Sequence, residues 1–180
     1  MPRLPRRHAL AWLLAPALLS AQPQPAPPWP GLVRQASGTM RWWGLTLYDI
    51  HLWVRGTPVT ASNWRTQEFA LELHYRRSFR GAQIAERSLQ EMRRQGPIDA
   101  TQQARWLAAM QACFPDVQDG DRLSGLHQPA QATEFQSATR MLGRVEDADF
   151  APRFFGIWLS EHSSAPELRA ALLAGSDSRA

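Results

Sequence analysis

The chain has 180 residues, room for one ordinary domain. Its 20 basic side chains are all arginine. The missing lysine excludes Schiff-base chemistry, the Walker-A phosphate loop, protein kinases and Ser-x-x-Lys acyl-enzymes. A net charge of +4 would suggest an acidic partner, but its location argues otherwise.

Arg3, Arg6 and Arg7 precede the apolar run of residues 9–21, which ends in small residues. This is the layout of a secretory signal peptide over 1–21, with cleavage expected after Ala21. As a helix the run reaches about 20 Å, short of a bilayer core of about 30 Å. Its removal takes three arginines and no acids, leaving 17 Arg against 16 Asp and Glu. The expectation is a periplasmic or secreted protein with no stable membrane span in its mature form. Support for nucleic-acid binding is lost with the leader.

Residues 22–31 are a proline-rich segment that reads as an extended linker. A domain over 32–175 follows, and residues 176–180 read as a disordered tail. Residues 32–43 and 45–55 are rich in β-branched and aromatic side chains and predict two strands, broken at Gly44. Residues 68–76 alternate: Phe69, Leu71, Leu73 and Tyr75 form one face, and Glu68, Ala70, Glu72, His74 and Arg76 the other. That pattern predicts an antiparallel strand with one wet face.

After Arg80 the period changes to that of a helix, with Ile84, Ala85, Leu89 and Met92 on its apolar side and Gly96-Pro97 as its stop. Asp99 or Thr101 caps a second helix that Pro115 ends. Residues 122–128, 131–136 and 140–145 predict three short strands, and Phe150–Leu159 a helix. Ser164-Ala165-Pro166-Glu167 reads as a capping box opening a last helix over Leu168–Ala174, closed by Gly175. Strands grouped apart from helices predict an α+β fold with an antiparallel sheet.

Five segments together carry a family resemblance. They are Gly38-Thr-Met-Arg-Trp-Trp-Gly44, Leu47-Tyr-Asp-Ile-His-Leu-Trp53, residues 85–94, residues 114–122 and Phe154-Phe-Gly-Ile-Trp-Leu159. In order and spacing they resemble the exported bacterial branch of the chalcone isomerase-like family, over residues 32–174. The resemblance implies the chalcone-isomerase fold, a large antiparallel sheet with helices packed on one face.

Plant members close a flavanone ring with an arginine, a threonine, a tyrosine and an asparagine around the cleft. Against their helix motif, Gly81-Ala-Gln-Ile-Ala-Glu-Arg-Ser-Leu-Gln-Glu91 puts Ile84 at the tyrosine and Glu91 at the asparagine. Isoleucine donates no hydrogen bond, and a carboxylate repels a phenolate. The strand threonine falls on Tyr48; Arg34 and Arg41 are the nearest arginines. The degraded motif speaks against chalcone cyclisation and leaves no catalytic residue to assign. Fatty-acid-binding relatives hold a carboxylate with an arginine and a tyrosine. Tyr48 with Arg41 or Arg34 could imitate them, since guanidinium grips a carboxylate with two prongs and a phenol adds a hydrogen bond.

The expectation is therefore a small apolar ligand such as a fatty acid, with no cofactor and no metal. An isomerase or lyase acting on an enone-like substrate, and an envelope interaction module without a ligand, stay open. Asp49 and His51 share a strand face, with His74 nearby, but surface polarity explains them more simply than a base or a metal site. Asp116, Asp119 and Asp121 lack the calcium-loop pattern and read as a turn. Cys113 sits in a helical apolar pattern and reads as core. The arginines at 76, 77, 80, 87, 93 and 94 read as solvated faces, and the tryptophans more as core than as cleft.

Overall fold

A computed structural model of the chain describes residues 27–174. The expected leader over 1–21, Gly175 and the tail over 176–180 lie outside the described residues. Three strands come first: β1 (Val33–Trp42), β2 (Leu45–Val54) and β3 (Phe69–Tyr75). Helices α1 (Gly81–Arg93) and α2 (Ala100–Cys113) follow. Strands β4 (Arg122–His127), β5 (Thr133–Ser137) and β6 (Met141–Val145) then lead to α3 (Phe150–Leu159) and α4 (Pro166–Leu173). The six strands form one antiparallel sheet in chain order. This is the expected α+β arrangement: the strand connections are turns, a loop over 55–68 between β2 and β3, and the helix pair α1–α2 between β3 and β4.

Alternation decides which side the helices cover. Ile50, Leu52 and Val54 of β2 and Phe69, Leu71, Leu73 and Tyr75 of β3 are all buried on one face. The helices supply Ala85 and Met92, Trp106 and Met110, Phe155 and Leu159, and Leu172 to the same core. Cys113 belongs to it as the sequence predicts: its thiol lies against Gly143, and burial pushes its pKa up.

The helix ends mostly follow sequence chemistry. Asp99 caps α2 by accepting from the Gln102 amide at 2.9 Å. The capping box expected at 164–167 does not form. The first helical residue of α4 is Pro166, so Ala165 holds the N-cap and has no side-chain oxygen to offer.

The expected wet face of β3 is covered. Ala70 is fully buried and Glu72 is 3% exposed. Trp29, Leu32, Trp53, Ala70 and Leu126 form a second small apolar cluster on this far side. Residues 27–31 lie along it: the Gln136 amide donates to the Pro28 carbonyl, and Arg55 to Pro30 at 3.0 Å. Period-2 alternation reports a face but not what later lies on it, and here a chain segment distant in sequence does.

Candidate ligand cavity

Between the sheet and helices α1 and α3 lies a cavity of about 580 Å³. That size suits a small-molecule site. Its body is aliphatic and aromatic, with Leu71, Leu73, Leu123, Phe114, Phe135 and Phe154 among its walls. Most of its polar groups come from two places, Tyr48 and Tyr75 on the sheet and Gln83, Arg87, Ser88 and Glu91 on α1, with Trp158 and Ser164 adding to them. Residues 84, 87, 88 and 91 are one or two turns apart on the same helix side, which is why they meet the cavity together.

Tyr48 and Tyr75 are register partners on β2 and β3, with ring centroids 5.9 Å apart. The indole N–H of Trp158 donates to the Tyr48 hydroxyl at 3.1 Å. The hydroxyl proton of Tyr48 is thus left for another acceptor, and the described residues provide none. Burial pushes the Tyr48 pKa up to about 12; Trp158 and Arg87 oppose the rise and Glu91 adds to it. Burial, with Tyr48 beside it, pushes Tyr75 higher still. Both remain neutral phenols, able to donate a hydrogen bond and unsuited to taking a proton near neutral pH.

On α1, Arg87 pairs with Glu91 at 2.6 Å, and Arg94 adds a longer contact at 3.6 Å. Glu91 is 8% exposed, so its charge is compensated inside the protein. Arg87 is half-exposed, and its guanidinium sits 5.8 Å from the Trp42 ring centroid at the cavity rim.

The structure places the three sequence-predicted binding residues differently. Tyr48 borders the cavity. Arg41 is exposed on β1, and Arg34 partners Trp53, two positions along β2 from His51, where it adds a little to the lowering of that histidine's pKa by burial. Neither arginine borders the cavity; Arg87 does. Ile84 and Glu91, the positions matched to the plant tyrosine and asparagine, both border it. Sequence reasoning missed Arg87 and Tyr75. The helical spacing from Ile84 and Glu91 pointed at Arg87, whereas the Tyr48–Tyr75 pairing is a register fact without a local signal.

The far-face polar residues form another arrangement. Asp49 accepts from Thr39 at 2.7 Å and pairs with Arg76 at 2.7 Å. Burial works to raise its pKa, but these two partners hold it below the usual value. His51 bonds Ser37 at 2.7 Å, not Asp49, and crosses the His74 ring at 4.6 Å. His74 lies 3.1 Å from the Glu72 carboxylate, off the hydrogen-bond direction. Among the described residues no three His, Cys, Asp or Glu side chains are grouped to hold a metal ion. Asp116 accepts from the Gly81 amide at 2.8 Å and Asp121 from Gln118 at 2.9 Å, which are turn and helix-start roles.

A sequence model of the family described as chalcone isomerase-like matches residues 32–174. The chain belongs to the chalcone isomerase-like family. Among solved structures, the fold is similar to that of a fatty-acid binding protein of Arabidopsis thaliana. The TM-score is 0.62 at 10% identity, covering 86% of this chain and 93% of that one. At that identity the likeness concerns the fold. No curated protein sequence matches the chain. Among the described residues of this family member, no helix is long and apolar enough to cross a membrane.

Proposed function

We propose that this chalcone isomerase-like chain is an exported, non-catalytic protein that binds an apolar carboxylate such as a fatty acid. The observation that carries the reading is the division of the cavity. Its walls are mainly aliphatic and aromatic, and Tyr48 lies near two other polar groups, with the Tyr75 ring 5.9 Å away and Arg87 close enough to act on its hydroxyl. An acyl chain packs on the apolar walls, and its carboxylate takes the guanidinium and the phenol protons. The similar fold of a protein named for fatty-acid binding supports the ligand class.

The non-catalytic part rests on the same residues. Ile84 and Glu91 stand where the resemblance places a plant tyrosine and asparagine, and the two cavity phenols are held in their neutral form. Export rests on the charge and hydropathy layout of residues 1–21.

Displacement of a fluorescent fatty acid, with native mass spectrometry of the protein after mild extraction, tests the reading. Saturable displacement by long-chain acids, abolished by a plugging Ile84→Trp substitution, is the expected result. A protein that emerges empty and does not bind the probe would overturn it.

A further inference from the structure

The β1–β2 hairpin closes through Trp43-Gly44, and its tip contradicts ordinary turn chemistry. Both central residues have positive φ, +49° for Trp43 and +77° for Gly44. A two-residue hairpin turn of this hand favours Asn-Gly or Gly-Gly, since a bulky side chain at positive φ is strained. Trp43 accepts that strain and packs on little in return, being 87% exposed. Trp42 is 54% exposed and Leu45 is 47% exposed, so three of the five exposed large hydrophobics of the described residues lie within four positions. Strain retained for an exposed indole, with no packing gain, marks an element selected for contact.

The location of this tip says what it touches. Trp42 is both a rim residue of the ligand cavity and part of the tip. The segment 40–48 carries one cation, Arg41, and no carboxylate. Arg87, paired with Glu91, lies beneath Trp42; Arg76, paired with Asp49, bonds Leu47 through its amide, and the exposed Arg77 follows it beside the tip. An adjacent turn contributes Asp119 and Asp121, so the unpaired positive charge on the hairpin itself is that of the exposed Arg41. Indoles flanked by arginine, projecting from a loop, match the boundary between acyl chains and headgroups of an anionic bilayer.

We propose that the Trp42–Leu45 tip is a docking element for an anionic lipid surface, holding the cavity mouth against the membrane. Its significance for ligand exchange rests on the fatty-acid reading of the cavity; the docking itself does not. An apolar ligand would then pass between bilayer and cavity along Trp42 without crossing open water.

Flotation with phosphatidylglycerol-containing vesicles, compared with pure phosphatidylcholine, tests this. Wild type and Trp43→Asn are compared in the same processed form, so any contribution of residues outside 27–174 cancels. Asn-Gly is the favoured turn pair, so the variant should melt about 3 °C higher while binding anionic vesicles about tenfold more weakly. Added salt should weaken wild-type binding. Equal vesicle binding by the two proteins, or none by either, overturns the proposal. So does a wild-type dimer that Trp43→Asn converts to monomer with no vesicle effect, which would assign the tip to a second copy of the chain. Fluorescent fatty-acid binding in vesicle-free solution is read alongside. Loss of that signal with vesicle binding intact rejects the cavity reading and leaves the docking standing.

Discussion

The Trp158 indole on α3 donates to the Tyr48 hydroxyl on β2 at 3.1 Å, tying helix and sheet together across the cavity. Because the hydroxyl oxygen is already an acceptor, its proton can point only at something else. A partly buried phenol with an unclaimed proton is a ligand donor ready before the ligand arrives. Tyr48→Phe should therefore weaken fatty-acid binding by about tenfold, near the ~1.5 kcal/mol of one hydrogen bond to a charged group. Methyl esters should lose much less. Titration of the probe with acid and ester series measures the difference; equal losses for both would remove Tyr48 from the headgroup site.

Arg87 and Glu91 should act with opposite signs. Arg87→Gln removes the cation that the ligand carboxylate needs, and about a tenfold loss of affinity is expected. Glu91→Gln removes a like charge from the same patch and should tighten binding, with Arg87 freed from its 2.6 Å pair. Isothermal titration of both variants checks this, since a purely structural role for the pair would lower affinity in each.

Gly81 opens α1 where the helix passes close to the end of α2. A Cβ there would stand 2.0 Å from the Phe114 carbonyl oxygen, which is backbone and cannot swing away. Gly81→Ala should destabilise the fold by about 2 kcal/mol or more, through overpacking. Thermal melting reads this directly; an unchanged Tm would mean that α1 moves freely at its start.

Stability should fall with acid in a defined window. Burial lowers the His51 pKa to about 4 from 6.5, with His74 helping and Glu72 opposing. Burial also lowers His127, whose ring bonds the Gln67 carbonyl at 2.9 Å. Both are neutral in the fold and gain a proton more readily when unfolded. Their stabilisation is complete above 6.5 and is lost as pH falls below it, for His51 toward about 4. Asp49, held below its ordinary 3.8, begins to lose its contribution only below that value. Melting curves from pH 8 to 4 should show a decline that His51→Gln makes shallower; parallel curves would reject the role of His51.

The order of elements was legible because local patterns determine it. Alternation marked β3, the 3.6 period marked α1, and Asp99 and Pro166 marked helix starts by their own backbone chemistry. What lies opposite what was not legible. Sequence places Tyr48 on an apolar strand face but has no means of showing that its neighbour is Tyr75, 27 residues later. It pointed to Arg41 and Arg34, which lie outside the cavity, and read Arg87 at the cavity rim as a solvated face. Composition and periodicity by themselves determined the fold class and the chemistry excluded by the missing lysine, while the plant tyrosine and asparagine positions at Ile84 and Glu91 came from the family resemblance. Only the tertiary structure decided the polar side of the cavity, the covered face of β3 and the exposed turn at Trp43. Those depend on strand register, on helix placement over the sheet, and on a backbone angle at one residue, none of which the chain states locally.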